Sequence, residues 1–395
     1  MHDSNTEDNF LSQEAIHQLK QIVGDQNLNT ESIFLQDWCN NTLGSFREIV
    51  GVIYPENIEQ IKSILKICNE LNILFYAISS GKNWGYGGAS PVENNVLILD
   101  LSKMNKILEF NEDLHYVTVE PGVTQQDLYN YMKKNNYHFM VPTTGAGPDV
   151  SLLGNAVERG YGITPHEDHF GSLLSLKAIL PNGEIYNSSL AELGGFSVDK
   201  IFKWNIGPYL DGIFTQSNLG IVVEVTIALV PTPKSVTQFV VFLDEENFES
   251  GIVAVKNIKT KLNGIVGGVN LMNKRRLLAM IETDWSQDKA SEEIHVIEFA
   301  KKQDLPDWAM AGALYGENEV IGAAKKIIKK ECGKISNKIV FLNKKKYELA
   351  QLALKVLPLT NLKKMLDNAG RALEVLEGTP SKVALPLSYL KNKKG

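Results

Sequence analysis

"SSGKNWGYGG", residues 79–88, places four glycines within eight positions, directly after the apolar run ILFYAIS (73–79). Glycine at that density lets backbone lie against a ligand, because no Cβ stands in the way. A dinucleotide-binding Rossmann turn needs such glycines between a strand and a helix. This stretch instead runs through a polar turn into a second apolar run, NVLILDL (95–101), so the loop joins two strands buried on both faces. A phosphate is then expected on successive loop N–H groups forming a nest, with Ser79 and Ser80 adding hydroxyl donors. A glycine-rich β-connection without any ligand fits the same residues equally well.

A second glycine-rich stretch, PTTGAGPDVSLLGNAVERGYG (142–162), supplies Thr143, Thr144, Ser151 and Asn155 as hydrogen-bond partners. Two such loops favour a large cofactor over a small anion. Around them, SQEAIHQLKQIV (12–23) has helical spacing, and PENIEQIKSILKICNELN (55–72) predicts a helix opened by Pro55. KILEFNEDLHYVTVEPGV (106–123) reads as two strands, with Thr124 capping the helix after them. LLSLKAILPNGEIYNSS (173–189) reads as a hairpin turning at Pro181-Asn182-Gly183. GIVVEVTIALVPTP (220–233) is a strand closed by two prolines. Beyond it, strand-like TQFVVFLD and NKIVFLN and helical ENEVIGAAKKIIKK predict a second α+β domain.

With 395 residues, 44% of them hydrophobic, the chain exceeds the usual size of a single core, and two domains are expected. A net charge of -6 and a pI near 5.8 argue against a nucleic-acid surface. The polar, acidic start MHDSNTEDNF has no signal pattern, and no apolar stretch is long enough to span a bilayer, so a cytoplasmic location without membrane attachment is expected. Cys39, Cys68 and Cys332 are isolated and read as buried structural thiols.

These motifs resemble the vanillyl-alcohol-oxidase and p-cresol-methylhydroxylase family of flavoproteins, its 4-alkylphenol oxidase branch above all. GKNWGYGGASP, VEPGVT, LGNAVERGYGITP followed by DHF, and GPYLDGIFTQSNLGIVVEVTIALVPTP carry the likeness over most of residues 45–233. The resemblance implies an α+β fold: an N-terminal helical extension (1–44), a two-subdomain PCMH-type FAD-binding domain (45–233) and a ferredoxin-like α+β cap (234–395). It would place the FAD diphosphate on Ser79, Ser80, Gly81, Lys82, Asn83, Trp84, Gly85, Gly87 and Gly88. The flavin ring would lie against the second loop, with Pro142, Thr143, Thr144, Gly145, Ser151, Gly154, Asn155, Arg159 and Gly162 as contacts. Gly220, Ile221 and Val222 would line the adenine.

The activity so implied is oxidation of a para-substituted phenol, with hydride passing from the benzylic carbon to flavin N5 and leaving a quinone methide. Since an ordinary phenol ionises near about 10, such a site must stabilise phenolate before hydride leaves. Tyr86 matches a family tyrosine at the phenolic oxygen, and Asp149 matches a carboxylate beside N5; read without the family, Tyr86 packs at a strand end and Asp149 forms the turn after Pro148. His166 stands where the family has a tyrosine, which changes the substrate pocket. The His166 and His169 pair in TPHEDHF lacks a third clustered ligand, so no metal is expected. Glu158 and Arg159 are expected to form a helix-capping or structural ion pair.

The last residues, GTPSKVALPLSYLKNKKG, resemble a segment inside the family's cap, which implies a C-terminally incomplete cap without the family's covalent flavin attachment and Tyr-Arg pair. Asn83 occupies the position used for histidyl attachment in other branches, so noncovalent FAD is expected. The electron acceptor is oxygen or a cytochrome, and a homo-oligomer or a complementing C-terminal chain are further expected partners. Two alternatives stay open: an FAD-holding remnant or half of a split enzyme with little activity alone, and a 2-hydroxy-acid dehydrogenase with a cationic carboxylate clamp.

Overall fold

A computed structural model describes residues 11–36, 38–39, 46–83, 88–162, 165, 167–195, 198–204, 206–281, 305–336, 338–354, 370 and 374–382. The first helix, α1 (Gln13–Val23), starts where the Ser12 hydroxyl accepts the Ala15 N–H, and it presents Ala15, Leu19 and Val23 inward. Strand β1 (Leu28–Asn29) pairs antiparallel with β2 (Ile49–Ile53), and the short α2 (Ser32–Gln36) lies between them in sequence. The N-terminal stretch is therefore built into the first sheet as well as being helical. Helix α3 (Ile58–Glu70) opens at Asn57, whose side chain accepts the Gln60 N–H; Pro55 lies before this cap and does not open the helix.

β3 (Phe75–Ile78) and β4 (Val96–Asp100) complete a four-stranded sheet of order β1-β2-β4-β3, in which β2, β4 and β3 run parallel. The glycine-rich loop is thus a crossover between two parallel neighbours, long enough to make that connection, and its described residues include no helix. Helices α1 and α3 cover one face through Leu19, Ile61, Ile64 and Leu65 against Ile53, Leu97 and Leu99. Leu35 packs with Val52, Ile78 and Ile98 on a second cluster, beside Tyr54 and Tyr76. β4 is buried throughout, as its apolar run predicts. β3 is only partly so, because it is the edge strand from which the loop departs.

In the second sheet, β5 (Ile107–Asn111) and β6 (Tyr116–Val119) precede α4 (Gln125–Asn135), which is held by a reciprocal cap between Thr124 and Asp127 and ended by Asn136 at φ 59°. After β7 (Phe139–Met140) come α5 (Leu152–Val157), β8 (Leu173–Ile179), β9 (Ile185–Asn187), α6 (Ser189–Glu192), β10 (Ile221–Ala228) and β11 (Val230–Pro231). The sheet order is β5-β6-β10-β8-β9, and β11 pairs with β7. The predicted hairpin turn contains Gly183 at φ 84°, a conformation that glycine adopts without a Cβ penalty. Val117, Val119, Leu128, Leu173 and Val225 form its core.

The remaining strands are β12 (Ser235–Leu243), β13 (Val266–Asn273), β14 (Trp308–Gly316) and β15 (Ile339–Leu342), with α7 (Phe248–Lys261), α8 (Lys274–Ile281) and α9 (Asn318–Cys332) in the connections. Their order β13-β14-β12-β15, antiparallel throughout, is the ferredoxin-like arrangement. Ile258 of α7 and Ile328 and Cys332 of α9 pack on Phe239, Met310 and Leu314, on one face of this sheet. Val236, Ala313 and Tyr315 pack instead with Met140. Cys39, Cys68 and Cys332 are buried free thiols; burial pushes Cys68 up to about 12 and Cys332 up to about 11, which keeps them unreactive. No helix among the described residues is long and apolar enough to cross a membrane.

Candidate functional site

The first glycine-rich loop leaves β3 at Ile78 and closes on itself where Lys82 bridges Gly88. Gly81 sits at φ 63°, and a Cβ there would stand 3.0 Å from Ala89 Cβ and 3.1 Å from Ile78 Cδ1. A left-handed residue at such a bend turns successive N–H groups to one side, which is the geometry of an anion nest. Lys82 is exposed, and its charge works on the buried Asp100 at the end of β4. Burial raises the Asp100 carboxyl, while the Ser102 N–H at 2.8 Å and the Lys82 charge pull it back. Burial, and then Asp100, pushes Tyr54 up to about 12. Trp84, Gly85, Tyr86 and Gly87 lie outside the described residues, so the predicted tyrosine donor receives no structural account.

The two glycine-rich loops touch. Ser80 Oγ accepts the Ser151 N–H at 3.1 Å. Ser79 Oγ lies 2.1 Å from where a Cβ on Gly154 would stand, so only glycine admits it. The second loop otherwise spends its polar side chains on other parts of the protein. Gln125 and Thr144 bind each other twice, Nε2 to Oγ1 at 3.0 Å and Thr144 N–H to Oε1 at 3.2 Å. Ser151 Oγ donates to Pro121 O at 2.5 Å and accepts the Gly154 N–H at 2.9 Å, capping α5. Thr143 Oγ1 donates to Val375 O at 3.0 Å. The Asn155 amide nitrogen lies 2.6 Å from His169 Nδ1, deep in the core. Thr143, Thr144, Ser151 and Asn155, read from sequence as cofactor partners, thus each have a partner within the protein.

The expected Glu158–Arg159 ion pair is corrected by this geometry. Arg159, in the left-handed region at φ 54°, sends Nε and Nη2 to Thr215 Oγ1 at 3.1 and 2.8 Å and does not pair with Glu158. Glu158 caps α5 through its backbone N–H, and burial raises its carboxyl. Gly162 is required because a Cβ would fall 1.9 Å from His169 Nε2. Gly220 is required because a Cβ would meet Phe214 Cε1 at 2.7 Å and Ile179 O at 3.1 Å. Ile221 and Val222 bury their side chains, and β10 pairs with β6 only from Val225 onward, which leaves this end of the strand paired on its β8 side. Asp149 is exposed on the turn after Pro148, where Gln126 N–H reaches Pro148 O at 3.1 Å. Pro142 borders, with Gln125, Leu152 and His169, an internal space of about 10 Å³, room for one water at most. Gly145 is half-buried in the turn before Gly147. His166 lies outside the described residues.

Sequence reasoning missed how the segment around Gly378 packs on this region. Gly378, at φ 80°, brings the segment 374–380 so near β7 that a Cβ would stand 2.9 Å from Met140 Cα and Val141 N. The Tyr315 hydroxyl donates to Leu376 O at 2.9 Å. Beyond Gly378 itself, no local pattern signals this contact. A separate cleft of about 250 Å³, lined by Ser189, Lys203, Trp204, Tyr209 and Asp211, includes no residue of either glycine-rich loop. Lys203 lies over the Phe170, Trp204 and Tyr209 rings and donates to the carbonyls of Phe170 and Gly171, a satisfied structural arrangement.

The donor set and the loop shapes fit a diphosphate-bearing cofactor: a left-handed bend at Gly81, two serines at the loop crossing, and an exposed lysine beside them. Residues 50–189 match the family model described as FAD binding domain. The chain is 31% identical over 345 residues to 1'-carboxy-chondrochloren decarboxylase of Chondromyces crocatus, covering 86% of this chain and 63% of that protein. It is 31% identical over 325 residues to the 4-cresol dehydrogenase (hydroxylating) flavoprotein subunit of Pseudomonas putida, covering 80% and 62%. The crystal structure of p-cresol methylhydroxylase with substrate bound superposes with a TM-score of 0.82 at 26% identity, over 97% of this chain and 72% of that one. The chain thus spans less than two thirds of these two curated relatives. It has the PCMH-type FAD-binding fold, α+β as expected, and FAD is its cofactor.

Proposed function

We propose that this FAD-binding chain is part of an oxidoreductase acting on para-substituted phenols. The observation that carries the reading is the meeting of the two glycine-rich loops, Ser80 on Ser151 and Ser79 on Gly154, beside the seam where the cap packs on Met140. Bound FAD supplies a hydride acceptor for the benzylic carbon. Loop N–H groups around Gly81, with Ser79 and Lys82, hold the diphosphate, and the Gly220–Val222 end of β10 serves the adenine. Asn83 provides no covalent link, so the cofactor is held noncovalently. Tyr86 donates to the phenolic oxygen and favours phenolate, His166 shapes the pocket around it, and Asp149 offsets developing charge and takes the proton of an attacking water.

The two relatives named above carry different reactions in their names, a decarboxylation and a hydroxylating dehydrogenation. A second reading is therefore oxidation of a carboxylated phenol with loss of CO2, which the first of these relatives favours. The electron acceptor is oxygen or a cytochrome subunit, the latter in keeping with a relative that is itself a flavoprotein subunit. The test is to load the purified chain with FAD and monitor flavin absorbance anaerobically with 4-alkylphenols, their carboxylated analogues and 2-hydroxy acids. Bleaching by the 4-alkylphenols without CO2 release is the expected result. Bleaching by 2-hydroxy acids alone overturns the phenol assignment.

A further inference from the structure

The chain doubles back between Tyr161 and Asp168, closed by the Gly162 N–H on Glu167 O at 2.7 Å and by a bridge between Tyr161 and Asp168. The base of this turn is fixed to the FAD-binding domain, because Asp168 accepts the Gly171 N–H on Oδ1 at 2.7 Å and the Ser172 N–H on its carbonyl at 3.1 Å. Its other contacts go to the cap. Both Glu167 carboxylate oxygens take Lys259 Nζ, each at 2.9 Å, and Lys259 belongs to α7. The same ammonium donates to Gly267 O at 3.4 Å, on β13. The Tyr161 hydroxyl sits 2.9 Å from where a Cβ on Gly268 would stand, and Glu167 Oε1 lies 3.8 Å from the same point. A Cβ on Gly267 would stand 2.8 Å from the Tyr315 ring. The β13–β14 register shifts between Val266 and Val269, so the glycine pair lies at an irregularity that admits both tyrosines.

Another contact between the two domains is apolar: Met140 and Val230 against Val236, Ala313, Tyr315 and Leu376. Apolar burial is non-directional; it holds two bodies together without setting their angle. An ammonium shared by two carboxylate oxygens, with a phenol packed beside them, is directional. We infer that Tyr161, Glu167 and Lys259 form a strut that sets the cap relative to the end of the second glycine-rich loop. Resting on the reading above for the reaction they serve, they are positioning residues and do not touch substrate. Lys259 is 41% and Glu167 20% exposed, so the pair contributes modestly to stability and acts chiefly on geometry.

The test uses the full chain with Glu167→Gln, Lys259→Gln, the double variant, the charge swap Glu167→Lys/Lys259→Glu, and Gly268→Ala, which crowds the Tyr161 hydroxyl. Backbone hydrogen exchange is measured over 158–168 and 263–270 without FAD, alongside FAD affinity and steady-state kinetics. Each single variant should speed exchange in both segments by about 3- to 5-fold, the range of a part-exposed ion pair. The double should match the worse single, and the swap should restore part of the protection. KM should rise or kcat fall while FAD affinity stays within about 2-fold, and concentrated salt should reproduce the exchange change in the parent chain. Additive effects of the two singles, or a change confined to one segment, would overturn the strut. Failure to bind FAD at all would count against the proposed function and leave the exchange test intact.

Discussion

The two glycine-rich loops look alike in composition and work by opposite physics. In residues 79–83 the glycine bends the backbone, with Gly81 in the left-handed region and Lys82 beside it exposed. In residues 142–162 the glycines let side chains come close, since a Cβ on Gly154, Gly160 or Gly162 would strike Ser79, Asn155 or His169 at 2.1, 2.1 and 1.9 Å. On the proposed function the first loop presents donors. The second builds the floor on which that loop rests. Glycine density alone therefore signals close approach, which in the second loop is to the protein itself and which we propose is also to the cofactor in the first.

Paired substitutions challenge this contrast most directly. Gly154→Val should drive a branched side chain into Ser79 and cost about 3 kcal/mol or more of stability, read as a lower urea midpoint. Gly88→Val should leave the urea midpoint near that of the parent while abolishing the yellow colour of bound FAD. Equal stability losses would show that both loops are scaffold.

Next in size is Asp149→Asn, on the exposed turn of the second loop. FAD should still bind, while anaerobic flavin reduction by a 4-alkylphenol slows by roughly 10², the lower end of general acid–base effects. An unchanged rate assigns Asp149 to the turn alone. Ser151→Ala removes the α5 cap and the bond to Pro121 O, and should lower stability by about 1–2 kcal/mol, seen as a fall in Tm. Ser79→Ala, its counterpart across the loop crossing, should weaken FAD binding with little change in the Tm of the FAD-free chain.

The smallest effect concerns Asp100 beneath the first loop. Burial raises its carboxyl above 3.8, so the folded chain keeps this proton to higher pH than the unfolded chain. Its favourable contribution is present in acid and is lost as pH rises through the folded value. Asp100→Asn stays neutral, so it should raise Tm slightly at pH 7, with the gain shrinking toward pH 4. A variant that is less stable at pH 7 would mean that the Lys82 charge outweighs desolvation.

Much of this architecture was legible residue by residue. Thr124 and Asp127 in TQQDLYNYMKKNN announce a capped helix, Pro181-Asn182-Gly183 announces a hairpin, and NVLILDL announces a strand that proves buried at every position from Val96 to Asp100. The flavoprotein motifs anticipated the PCMH-type FAD-binding fold and the ferredoxin-like order of the last sheet. Less legible were β1, two residues long, and the true helix opener Asn57, overlooked beside the more conspicuous Pro55. Four polar residues of the second loop also read as ligand contacts, because sequence does not say whether a hydroxyl meets a cofactor or its own backbone.

Local elements and the loop between two strands could be read from the chain alone, because caps, turns and periodicity depend on neighbours within a few positions, whereas FAD was implied by the family resemblance of the motifs. Which donors were already spent, and how the cap meets the loops, emerged only with the packed fold. Thr143 finds Val375 across 232 positions and Lys259 finds Glu167 across 92, partners that no short-range pattern specifies. Such contacts are selected by the packing of whole sheets, which brings distant polar groups within reach and leaves each one satisfied or available.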